Sequence, residues 1–113
     1  MLQVMLFDPD QEASQNGPIR SFRDGEGELT FQGIFDLADF FHRDRSDVAG
    51  IGWQLVRQLQ QELPDHQPWV TYRVFEGRLT VQSRRREDVA ANLERLVVLA
   101  NIESVGVSLG IAL

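Results

Sequence analysis

The stretch WVTYRVFEGRLTVQS (residues 69–83) constrains the fold more than any other part of this chain. Two alternating runs flank Glu76-Gly77, and a two-residue turn with glycine at a position of positive φ closes an antiparallel hairpin. Counting outward from the turn pairs Val74 with Leu79 and Tyr72 with Val81, which puts apolar side chains on one face. A slip of one residue would turn each of them to the other side, so burial of that face specifies the register. The opposite face receives Trp69, Thr71, Arg73 and Phe75 with Arg78, Thr80 and Gln82.

Residues 2–8 alternate in the same way, with Leu2, Val4 and Leu6 on one side and Gln3, Met5 and Phe7 on the other, and read as a first strand. Residues 9–18 hold two prolines and an Asn-Gly pair without periodic apolar positions, the pattern of a mobile loop. Over 19–32 the turn Asp24-Gly25-Glu26-Gly27 separates two short alternating segments, which predicts an added hairpin. From Ile34 the period becomes helical, with Ile34, Phe35, Ala38 and Phe41 on one stripe. A second helix is expected from about Val48 to Leu63, with Ser46 and Asp47 as caps and Pro64 as its stop. A third is expected over about 86–100, with Val89, Leu93, Leu96, Val97 and Ala100 inward and Val98 and Leu99 off the stripe. The segment from about Ser104 to Ala112 closes the chain as a strand, with Gly106, Ser108, Gly110 and Ala112 on the side opposite Val105, Val107, Leu109 and Ile111.

Strand, helix, strand, strand, helix, strand is the order of a ferredoxin-like βαββαβ sandwich, here with the extra hairpin after strand 1. The length of 113 residues suits one α+β domain with both helices on one face of an antiparallel sheet. The uncovered face is expected to carry Met5, Phe7, Trp69, Arg73, Phe75 and Arg78 around a trough of Gly106, Ser108 and Gly110.

The chain has no cysteine, which excludes a disulfide framework, a thiolate nucleophile and cysteine-ligated zinc. Its basic residues are all arginine, so Schiff-base chemistry and the phosphate-binding lysine of P-loops are excluded too. A formal net charge of −6 opposes general affinity for polyanions, and no stretch approaches the length of a membrane span.

No catalytic, cofactor or metal pattern emerges. His42 follows Asp36 and Asp39, but those acids fall on a different stripe from the imidazole; His66 sits in the turn PDHQP with no partner in sequence reach. Gly50 and Gly52 lack the strand that must precede a dinucleotide fingerprint, so close packing of the second helix is their expected role. Arg84, Arg85 and Arg86 form a basic cluster beside Trp69 and Phe75, with Glu87 and Asp88 next to it. The expectation is therefore a cytoplasmic, non-catalytic protein-interaction module, a homo-oligomer or an acidic adaptor, regulator or inhibitor, using the uncovered sheet face. Two alternatives stay open: single-stranded nucleic acid or a nucleotide held by the sheet aromatics and Arg84, Arg85 and Arg86, and an enzyme of unrecognised type.

Overall fold

The computed structural model describes residues 19–105 of the chain. The expected strand at 2–8, the loop at 9–18 and the small-residue row from Gly106 onward lie outside the described residues. Within them, β1 (Ile19–Arg23) and β2 (Leu29–Asp36) precede α1 (Leu37–Phe41) and α2 (Ala49–Glu62). A 3-10 turn (Pro64–Trp69) leads into β3 (Val70–Phe75), β4 (Arg78–Ser83) and the long α3 (Arg86–Ser104). The strands form one antiparallel sheet in the order β1-β2-β4-β3, with the helices against one face.

The β3–β4 hairpin has the expected register, Val74 opposite Leu79 and Tyr72 opposite Val81. Its turn places Glu76 at φ 50° and Gly77 at φ 78°, both left-handed, so the turn twists with the strands it joins. Leu79 and Val81 are fully buried beneath the helices.

The segment 19–36 departs most from the sequence expectation. The ribbon is not an appendage, because β1 and β2 are two of the four strands and β2 is central. Ile34, Phe35 and Asp36 continue β2 and do not open a helix. Phe35 points to the core at 4% exposure while its neighbour Ile34 points the other way at 44%. In "TFQGIFD" an alternating reading competes with a helical one, and pairing with β4 along six positions decides for the strand. Asp36 instead caps the short α1, accepting a hydrogen bond from the Asp39 N–H at 3.0 Å.

The core consists of Leu37, Val48, Leu55, Leu59, Leu79, Val81, Val89, Leu93 and Leu96, with Phe35, Val56, Leu99 and Ala100 around them. Leu99, expected off the stripe, is 3% exposed, because the inward face of α3 broadens as the helix crosses β4 and β2. Helix α2 starts at Ala49 without a side-chain cap; buried Val48 anchors its entry where Ser46 and Asp47 were the expected caps. Helix α3 runs on through Ser104, so the final strand does not begin there. Two glycines set the spacing of the layers. A Cβ on Gly33 would collide with Leu93 Cδ1, and one on Gly52 would lie 2.8 Å from Val74 Cγ1 and 2.9 Å from Leu37 Cδ1.

Candidate functional site

Two constellations bear on function: the face of the sheet that is bare among the described residues, called the bare face below, and a buried polar cluster behind it. On the bare face, cross-strand neighbours follow from register. Three rows cross the sheet: Arg20, Gln32, Gln82 and Thr71; Ile34, Thr80 and Arg73; and Asp36, Arg78 and Phe75. The centre is polar, since Gln82 donates to Gln32 Oε1 at 2.6 Å. Apolar side chains stand around it, with Phe22, Ile34 and Phe75 exposed at 40%, 44% and 56%. The Arg73 guanidinium stacks 5.0 Å from the Phe75 ring centroid, and Arg78 Nε lies 3.8 Å from Asp36.

Of the expected contact residues, Arg73, Phe75 and Arg78 share this face. Trp69 ends the 3-10 turn instead of starting β3, and it is exposed with the Arg85 guanidinium 4.1 Å from its ring centroid. Met5, Phe7, Gly106, Ser108 and Gly110 fall outside the described residues. The sequence pattern does not point to Phe22 and Ile34, because it reads the ribbon as an addition to the sheet and Ile34 as the start of a helix. Carrying the alternation of β2 through to Asp36 would have found Ile34.

The basic cluster is dispersed. Arg84 turns to Asp24 at 3.3 Å and Glu26 at 3.7 Å, while Arg85 turns inward to Asp88. Asp24 is committed to its own turn, where the backbone N–H groups of Glu28 and Glu26 hold its carboxyl below the usual range, with Arg84 adding to the effect.

His66, with no partner in sequence reach, finds one through the fold, 22 residues away. Asp88, fully buried at the start of α3, receives His66 Nδ1 at 2.7 Å, the Ser83 hydroxyl at 2.9 Å and Arg85 Nη2 at 3.1 Å. Arg85 Nε approaches Oδ2 to 3.0 Å but off the hydrogen-bond line, so that contact is electrostatic alone. Burial raises the carboxyl's pKa, but the bonds from His66 and Ser83 and the charge of Arg85 outweigh it, so Asp88 titrates below its ordinary value. An ionised carboxylate only accepts, so the His66 Nδ1 carries the hydrogen of that bond.

A chain of bonds runs on from this centre. Asn92 Nδ2 donates to the Asp88 carbonyl at 2.8 Å, the Tyr72 hydroxyl to Asn92 Oδ1 at 2.6 Å, and Gln67 Nε2 to Tyr72 at 2.9 Å and to the Leu63 carbonyl at 3.0 Å. Burial, with the Asp88 charge adding, raises the Tyr72 pKa against the bond from Gln67.

Serine, histidine and aspartate therefore meet, but in an order unsuited to nucleophilic catalysis. Activating a serine requires the imidazole between the hydroxyl and the carboxylate. Here the carboxylate stands between them, and the Ser83 oxygen also accepts from the Arg85 N–H at 3.0 Å. The arrangement ties the end of α2, the 3-10 turn, β3 and the first turn of α3 into one unit.

His42 contributes no ligand group; it ends α1 at φ 55°, its backbone N–H bonded to Asp39 and Ala38. No group of three or more ligating side chains stands together among the described residues. An open hollow of about 540 Å³ beside α2, lined by Arg45, Ser46, Ala49 and Glu76, holds no histidine. No described helix is long and apolar enough to cross a membrane. Comparison with protein-family models, with curated proteins and with solved structures finds no match.

Proposed function

We propose that this chain is a non-catalytic protein-interaction module, an adaptor, regulator or inhibitor of a larger cytoplasmic protein, which docks through the bare face of its sheet. The observation that carries this reading is the exposure of Phe22, Ile34 and Phe75 on one sheet face, at positions where a solvated antiparallel sheet carries polar residues. Aromatic and arginine side chains side by side, as Phe75 and Arg73 are, form the kind of contact that dominates binding energy in protein interfaces. A partner unlike this chain is favoured over a face-to-face homodimer. Among the described residues Arg20, Arg73 and Arg78 share the face with one carboxylate, Asp36, and two copies pressed together would set like charges against each other. We also read the path β2, α1–α2, β3, β4, α3 as a ferredoxin-like frame in which β1 holds the place beside the first strand of the frame.

A photo-crosslinking residue in place of Ile34 or Phe75, with one in place of exposed Val98 on α3 as control, tests the reading in cells. Adducts of one defined mass at positions 34 and 75 and not at 98 are expected. No adduct at either sheet position, or equal adducts at all three, refutes it.

A further inference from the structure

We propose that the β3 edge takes an acidic, extended segment of another protein as an added strand, a proposal that rests on the bare face being the docking surface. The backbone argument starts at the two-residue turn. Phe75 and Arg78, flanking it, form a hydrogen-bonded pair, and alternation makes Arg73 with Thr80 and Thr71 with Gln82 pairs of the same kind. Tyr72 and Val74 then direct their N–H and C=O groups away from β4. Among the described residues no strand lies beyond β3, so these groups form a template for one more. An added strand sets every second side chain on the bare face, next to Arg73 and Phe75.

Charge selects the occupant. On a chain of formal net charge −6, the bare-face positions of the four strands hold three arginines and one aspartate. The Arg73 guanidinium carbon lies over the Phe75 ring, 5.0 Å from its centroid, and a guanidinium held against a ring face can still offer its N–H donors to a carboxylate. The apolar ring beside it suits an aliphatic or aromatic neighbour in the same peptide. The other edge repeats the device, with Arg20 and Phe22 two residues apart on the same face of β1. Single-stranded nucleic acid fits less well. Phe22 and Phe75 stand on opposite edge strands, about 14 Å apart across the sheet and about 20 Å apart along it, with no aromatic residue between them on that face among the described residues to stack consecutive bases.

The test is a titration of the ¹⁵N-labelled chain with four probes: a blocked decapeptide alternating Glu and Val, its Lys and Val counterpart, the Glu peptide N-methylated at every second residue, and a ten-nucleotide oligo-dT. The expected result is movement of the Tyr72, Val74 and Phe75 amide signals with the Glu peptide, abolished by N-methylation. Arg73→Ala is expected to weaken it about tenfold, the scale of one charge-assisted contact, and Arg73→Glu to transfer preference to the Lys peptide. Equal binding of both peptides at β3 overturns the acidic-partner inference and leaves the docking face standing. Failure of every peptide to move β3 signals overturns both. Stronger binding of oligo-dT than of either peptide overturns the choice of a protein partner.

Discussion

The two glycines of "AGIGW" at the start of α2 are predicted to respond with opposite sign to the same substitution. Gly50 faces open space, with nothing within 4 Å of an added Cβ. Gly50→Ala therefore gains only the helix-propensity and unfolded-state terms, about 0.5 kcal/mol so near the helix start. At Gly52 the added methyl would meet Val74 Cγ1 at 2.8 Å, Leu37 Cδ1 at 2.9 Å and Val74 Cγ2 at 3.2 Å. Val74 is β-branched and short, so neither methyl can swing clear without turning χ1 out of its well. Overpacking of this kind costs about 1–3 kcal/mol, against a propensity gain of about 1 kcal/mol. The net expectation for Gly52→Ala is a loss of up to about 2 kcal/mol. For a chain of this size that is a fall of up to about 8 °C in melting temperature, against a rise of about 2 °C for Gly50→Ala. Urea unfolding followed by circular dichroism at constant m-value measures both. If Gly52→Ala stabilises as Gly50→Ala does, α2 is not seated on β3 and α1 at the distance described, and the packing argument fails.

Further outcomes follow from the buried cluster and the hairpin. Asp88→Asn is expected to cost roughly 2 kcal/mol at pH 7, since it removes the charge on which His66 and Arg85 converge while keeping an acceptor for Ser83. Because the Asp88 carboxyl is held below its ordinary value, its contribution is complete above the unfolded pKa of about 3.9 and is lost as pH falls through the lower folded value. The stability gap between wild type and Asp88→Asn should therefore be flat above about pH 5 and narrow from about pH 4 downward; a gap that persists unchanged to pH 2 would show that the carboxylate is not the source. Glu76 holds φ 50° without being glycine, so Glu76→Asn is expected to stabilise by about 0.5–1 kcal/mol, read as a raised urea midpoint. An unchanged or lowered midpoint would contradict the strained-turn account.

How much was legible in the sequence varies with the range of the interaction. The β3–β4 register could be read because both strands and the turn lie in one stretch, and a buried face allows a single pairing. Helices α2 and α3 could be read because their stripes persist over several turns. At 29–36 local patterns conflict, and pairing with β4, about fifty residues further on, settles the matter. The bare face was half legible: Arg73, Phe75 and Arg78 came with the hairpin, while Phe22 and Ile34 required β1 and β2 to join the same sheet.

What the sequence by itself determined is what depends on neighbours along the chain: turn chemistry, side-chain period, the missing cysteines and lysines, and the net acidity. The tertiary structure alone decided which polar groups meet. Ser83, Arg85 and Asp88 meet locally at the junction of β4 and α3, but His66 and Asp88 are 22 residues apart and meet only because the fold sets the 3-10 turn against the first turn of α3. It also separated Gly50, which is open, from Gly52, which is crowded, although the two are almost adjacent. The physical reason is the same in both cases: desolvation and steric contact depend on what other elements place against a residue, and period and propensity carry no record of that.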